Sequence, residues 1–229
     1  MTNFIERLTR ETADDRQNLL TAPIIGRALS GRITRDDYLR FLHEAYHHVR
    51  HTVPLLEACR AALPARLTWM TPAFDEYVDE ERGHEAWILA DIAAAGGDAR
   101  ATRDGQPGRA TELMVAYAYD LIARVNPLGF LGMVHVLEGT SASLALQAAD
   151  AIQKVLGLPP LAMTYLRSHG HLDQDHTDHY ATLVNRLDDE ADRRAIVHAA
   201  GMFYELYGNV FRSLDSPRAT VASDAAALA

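Results

Sequence analysis

Apolar residues recur at helical spacing along nearly all of this 229-residue chain, and no stretch shows the apolar–polar alternation of a strand. The chain is thereby limited to helices packed on helices, with a core wherever their apolar faces meet. Helix signals place elements at about residues 3–21, 34–63, 67–95, 110–125, 127–156, 160–187 and 190–214. Thr34 can cap the second helix, with Asp36 and Asp37 at its positive end. Pro54 is expected to kink that helix, whereas Pro127, Pro159 and Pro160 stand near starts, where a missing N–H costs little. The stretch AAGGDARATRDGQPGRAT reads as the one long loop, and SPRATVASDAAALA, at the end, as a disordered tail. There is no short-period repeat, and neither side of the loop has enough helices for a separate core. Residues 1–215 are therefore expected to form one all-α domain, a bundle of seven helices, with 216–229 as the tail.

Against this background some polar residues stand where apolar ones belong. In SHGHLDQDHTDHY, His169, Asp173, His176 and Tyr180 share a face that continues through Tyr165, Leu166, Leu183 and Leu187. His171, Asp175 and Asp178 fall on the opposite, solvated side, and His179 lies between. The third helix repeats the violation: DEERGHEAW carries Glu81 and His84, three apart, on a face with Phe74, Tyr77, Val78, Ile88 and Ile92. Glu80 is at the edge of that face, and Glu85 is a rival ligand. In FLGMVHVLEGTSASLALQAA, Glu138 shares a face with Leu131, Val134, Ala142, Ala145 and Ala149, and His135 is marginal. A carboxylate in such surroundings is expensive unless paired, protonated or bound to metal.

Three helices thus offer Glu81, His84, Glu138, His169, Asp173 and His176, three carboxylates and three imidazoles. Such a set over-supplies one ion and nearly neutralises two divalent ones; its mixed N/O character suits iron or manganese better than calcium or thiolate zinc. Glu44 and His47 make a second E-x-x-H pair, displaced from the apolar centre of their helix, where His48 lies closer. Tyr77, Tyr165 and Tyr180 flank the ligand faces, with packing and hydrogen bonding as the plainer role and a redox or ligand-supporting role as the sharper one. Glu205, in FYELYGNVF, is equally ambiguous. Cys59 reads as a buried structural thiol.

Composition narrows the function classes. A net charge of −9 argues against nucleic acid and against an anionic membrane surface. A single cysteine allows no internal disulfide, the N-terminus lacks the apolar run of a signal peptide, and no stretch reads as a membrane span. A cytoplasmic protein acting on a small molecule is the expectation.

With these residues in view, the chain resembles the heme-oxygenase-like dimetal oxidases, within the wider group that includes the thiaminase II (TenA) and pyrroloquinoline-quinone-synthase families. The resemblance runs from the second helix to about Ser213 and rests on His169, Asp173 and His176, preceded at suitable intervals by the glutamate of HVLEGTS and the E-x-x-H pair. It implies a heme-oxygenase-like bundle without heme and two Fe(II) ions that activate dioxygen, held by Glu81, His84, Glu138, His169, Asp173 and His176. Some members place the first glutamate seven residues before its histidine; Tyr77 stands there, so this chain looks like the E-x-x-H variant. Members carry out N-oxygenation, oxidative C–C cleavage and fatty-acid decarboxylation. Tyr77, His48, Tyr180 and Glu205 are the expected supporting or substrate-facing residues, an external electron donor the expected partner, and a homodimer the assembly common in related folds. The alternatives are a metal-free cofactor-metabolism enzyme or small-molecule binder on the same fold, and a helical interaction protein with internally paired polar residues. A heme oxygenase needs a histidine on its first helix, yet the first here is His43. Thiaminase II relatives use a mid-chain cysteine, for which Cys59 is too early, although Glu205 resembles their late glutamate.

Overall fold

A computed structural model describes residues 3–215, and within them every regular element is helical, in more pieces than the seven expected. The tail expected over 216–229 lies outside the described residues. The first expected helix is two, α1 (Phe4–Glu11) and α2 (Ala13–Leu20). They part at Thr12, whose hydroxyl bonds back to the Leu8 carbonyl at 2.8 Å, an interaction that bends helices. A short helix that the pattern did not disclose, α3 (Pro23–Leu29), starts with proline at its first position and buries Ile24, Ile25 and Ala28.

The second expected helix is likewise divided, into α4 (Arg35–Val49) and α5 (Thr52–Ala61). The break falls at Arg50 and His51 rather than at Pro54. That is where the lesion should show, because Pro54 has no N–H for the Arg50 carbonyl four residues earlier. Thr34 and Asp37 form a reciprocal capping box at the start of α4. A 3₁₀ turn (Ala65–Met70) leads into α6 (Thr71–Glu81), and α7 (His84–Ala94) follows after Gly83. The expected loop holds its own short helix, α8 (Ala99–Asp104), capped by Asp98. Next comes α9 (Arg109–Asp120), which loosens into a π turn at Leu121–Val125.

The core is built on α10 (Phe130–Leu156), which packs against α11 (Thr164–Asn185) and α12 (Glu190–Ser213). With the preceding turn, the span Pro127–Leu156 is long and apolar enough to cross a bilayer by length and composition, although the sequence reading found no such segment. Here it is a core helix, with Met133, Val136, Ala145 and Ala149 buried. It comes close to α12 at Gly132: a Cβ there would lie 2.6 Å from the Ala200 nitrogen, so only glycine lets these backbones meet.

Three ties fix α11. Its N-terminus has no side-chain cap of its own; instead Asp91 of α7, fully buried, accepts the Thr164 N–H at 3.1 Å and the Tyr165 N–H at 2.8 Å. Tyr38 of α4 donates to the Ala162 carbonyl at 2.6 Å, just before α11 begins. Further along, Tyr180 donates to the Leu131 carbonyl of α10 at 2.9 Å. The ligand-type residues of α11 lie between these anchors.

Candidate metal centre

Six side chains predicted as ligands come together where α6, α7, α10 and α11 meet, and they fall into two sets of three. Glu81, His84 and His169 offer one ligand atom each within 4.8 Å of one another; Glu138, Asp173 and His176 do the same. No other such group of three occurs among the described residues. The first set has two imidazoles and one carboxylate, the donor set of non-heme ferrous oxygenases; the second has one imidazole and two carboxylates. The sequence pointed to the six residues but not to this division, which depends on how the helices cross.

The E-x-x-H pair is not made as expected. Glu81 is the last residue of α6 and His84 the first of α7, because Gly83 breaks the helix with φ of +91°. The left-handed turn still brings Nδ1 of His84 to 3.1 Å from Oε2 of Glu81. A Cβ on Gly83 would touch nothing within 4 Å, so the constraint is backbone conformation alone. Gly83→Ala should therefore cost about 1–2 kcal/mol of stability and loosen the Glu81–His84 contact. Thermal unfolding alongside ferrous-ion titration would check this; a variant with unchanged melting and affinity would show that the turn can be made another way.

The histidines of α11 are oriented by acceptors. Nδ1 of His169 lies 3.2 Å from the Tyr165 carbonyl; since a carbonyl only accepts, the proton is on Nδ1 and Nε2 keeps its lone pair. Nε2 of His176 lies 3.1 Å from the Glu80 carboxylate. A proton held there leaves Nδ1 as the free donor atom, 3.5 Å from Asp173 and 3.8 Å from Glu138. Glu80 thus aims a ligand from what sequence reading took as the edge of the helix face.

Electrostatically the three carboxylates have imidazoles as their only basic neighbours among the described residues. Among the described residues no lysine or arginine pairs with Glu81, Glu138 or Asp173. Burial, with the charges of Asp173 and Glu81, pushes the Glu138 carboxyl far above the usual carboxylate range. Burial also pushes Glu81 upward, but the contact with His84 and the nearby imidazoles outweigh it and leave that carboxyl below its usual value. His169 is lowered by burial, and His176 is raised by the Asp173 carboxylate, then by Glu80. Oε2 of Glu138, Nδ1 of His176 and the Tyr77 hydroxyl are buried with no hydrogen-bond partner. Two ligand-type side chains that approach to 3.8 Å, each with an unsatisfied atom, fit a divalent cation.

The supporting residues separate on the structure. Tyr77 packs its ring 5.7 Å from that of His176. His48 lines the cavity in front of the ligands; its Nδ1 is bound to the Glu44 carbonyl at 3.0 Å, and burial lowers its pKa to about 4. Tyr180 is spent on the Leu131 carbonyl, so it braces α11 rather than facing substrate. Glu205 is exposed on α12 and has no part in the centre. Glu44 accepts from the Gly108 N–H at 3.0 Å and from the Thr111 hydroxyl at the start of α9, so it and His47 stay outside. Glu85 is half-buried and joins neither set. His171 and Asp178 are exposed as expected, while the Asp175 side chain is outside the described ones. Cys59 is buried, donates to the Pro127 carbonyl and has its thiol pushed up to about 12 by burial, which leaves no nucleophile.

A buried residue missed by sequence reading is Asp91, which ties α7 to α11. The signal was available, since Asp91 interrupts the apolar stripe of Ile88 and Ile92.

Residues 39–208 match the family model described as iron-containing redox enzyme. No protein of curated function matches the chain in sequence. Among solved structures, a domain of unknown function with a heme oxygenase-like fold from Shewanella denitrificans OS217 is similar with TM-score 0.81 and 23% identity, covering 93% of this chain and 92% of that one. A TenA homolog from Pseudomonas syringae pv. tomato DC3000 aligns with TM-score 0.76 and 8% identity over 93% and 92% of the two chains. Heme oxygenase from Leptospira interrogans aligns with TM-score 0.74 and 15% identity over 93% and 100%. At these identities the likeness establishes the heme oxygenase-like fold.

Proposed function

We propose, on the premise that this chain belongs to the family of iron-containing redox enzymes, that it is an oxygen-dependent oxidoreductase using two ferrous ions to oxidise a small organic molecule. The observation that carries this reading is the unsatisfied pair at the centre, Glu138, whose Oε2 has no partner, and Nδ1 of His176, which lies 3.8 Å from Oε1 of the same carboxylate, in a cluster of three carboxylates with no lysine or arginine partner among the described residues. Glu81, His84 and His169 would hold one ion, and Glu138, Asp173 and His176 the other. Bound iron would supply dioxygen activation. The protein's own part is to orient the ligands: Tyr165 and Glu80 hold the protons of His169 and His176 on the far ring nitrogens. His48, neutral because burial lowers its pKa to about 4, offers an imidazole to the cavity that can accept a substrate N–H or O–H. Phe130, Leu56 and Met133 keep that cavity largely apolar. Manganese suits the same donors. An external electron donor, a cytoplasmic setting and a homodimer accompany this reading.

Anaerobic titration with Fe(II) is expected to saturate at two equivalents per chain, and exposure to O2 to give a transient absorption. Saturation at one equivalent or none would overturn the dimetal reading.

The fold shared with TenA homologs supports a second reading, a metal-free enzyme of cofactor metabolism or a small-molecule binder. It predicts no stoichiometric iron in protein purified from iron-replete cells. The buried, hydrogen-bonded Cys59 removes its thiol-based form.

A further inference from the structure

Two cavities meet at this centre, and metal ligation accounts for only one. The first faces Glu81, Glu138, His169 and Asp173. The second lies between α3, α4, α10, α11 and α12 and holds about 720 Å³ free of protein atoms, open mouth included. Its wall is hydrocarbon, from Ile24, Ile33, Phe41, Leu144, Ala148 and Ile152 among others, and no Asp, Glu, Lys or Arg lines it. Small side chains on α10, Ala145 and Ala148, leave the space open.

The cavities share four residues, Ser141, Tyr165, His169 and Tyr207. The residues at that neck carry three hydroxyls and the imidazole of a candidate ligand. Tyr165 and Tyr207 are each 7% exposed and line both cavities, whereas the Tyr38 hydroxyl is spent on Ala162. Within the apolar chamber the Thr140 hydroxyl is buried without a partner. A buried donor with no acceptor is costly, and bound ligand is one way to satisfy it. An apolar chamber ending in such a neck, one wall of which is His169, is matched to a molecule with a polar group at one end and hydrocarbon at the other.

We propose that the substrate is such an amphipathic molecule, with its polar group among Ser141, Tyr165 and Tyr207 and its alkyl portion in the chamber walled by Ile24, Phe41, Leu144 and Ile152. Which end is oxidised rests on the metal reading above; occupancy of the chamber does not.

The test uses n-alkyl carboxylates and n-alkylamines from butyl to dodecyl, titrated calorimetrically into metal-free and iron-loaded protein. In at least one head-group series, affinity is expected to rise about fourfold per methylene up to a cut-off length, with or without iron. Ala148→Phe should shorten the cut-off and weaken dodecyl binding at least tenfold while leaving the ferrous stoichiometry unchanged. Leu144→Ala should move the cut-off to longer chains, which keeps the test open if the filled variant does not fold. Tyr207→Phe should weaken every chain length by a similar factor. Absence of binding by both series, affinity independent of chain length, or a cut-off that neither chamber variant moves would overturn the proposal. Because the series is read without iron as well, its failure is separable from failure of the ferrous titration.

Discussion

Glu138→Leu is expected to raise the stability of the metal-free protein by about 1–2 kcal/mol while cutting ferrous binding from two equivalents to one. The two effects have one cause. In the metal-free chain Glu138 is a desolvated carboxyl with an unpartnered oxygen, pushed well above its normal pKa by burial and by Asp173 and Glu81. Replacing buried ionic groups by apolar ones of similar volume is often worth about 1–4 kcal/mol, and the lower end applies because the Glu138 side chain keeps 14% of its exposure. With iron present the order should reverse, because the parent gains the binding energy of the second ion and the variant does not. Urea unfolding with and without Fe(II) would check both halves. A metal-free variant less stable than the parent would instead mark Glu138 as a structural partner, as the helical interaction protein requires.

Asp91→Ala is expected to cost about 2–3 kcal/mol, since it strands two N–H groups at the start of α11 and removes that helix's cap. Affinity should fall at both ions, because α11 carries ligands of both sets. Asp91→Asn, which keeps one acceptor, should restore part of the stability and part of the affinity. The pH profile gives a second readout. Burial raises the Asp91 carboxyl from 3.8 to about 6, against the hydrogen bonds from Tyr165 and Thr164. Between those values the folded state binds more protons than the unfolded one, so the Asp91 contribution is full below the lower value and is lost as pH rises through about 6. Asp91→Asn should lack that slope. A profile identical to the parent's would show that Asp91 does not titrate in this window.

Much of the centre was legible because helices make position a matter of arithmetic. His169, Asp173 and His176 fall on one face of one uninterrupted helix, so their spacing alone aimed them inward. Glu138 was found the same way, as the lone acid among Leu131, Ala145 and Ala149. Glu81 and His84 were found for a partly wrong reason: the pattern gave one helix where Gly83 makes two, and a single glycine in a helical pattern does not announce its φ. Glu205 was singled out within FYELYGNVF and again by resemblance, although Phe203, Tyr204 and Tyr207 claim the buried face and leave it outside. Glu80 and Asp91 escaped because each acts on a residue from another helix, and contacts between helices are not written in the period of either one. The extra helix boundaries follow from local chemistry, the missing N–H of Pro54 and the back-bonded hydroxyl of Thr12, which a wheel averages away.

Since α11 contributes His169 to one set and Asp173 with His176 to the other, one rigid rod gears the two halves of the centre together. The axial offset between His169 and Asp173 is fixed by the pitch of that rod at about 6 Å for four residues. Sliding or turning α11 shifts both halves in the same stroke, so neither can be retuned alone from this helix. One residue inserted between His169 and Asp173 would swing the second half about 100° out of mesh, whereas change to one half alone must come through Glu81 and His84 or through Glu138. Evolution of this scaffold would then alter the surroundings of one set of three from the α6–α7 turn or from α10 and keep the shaft between them constant.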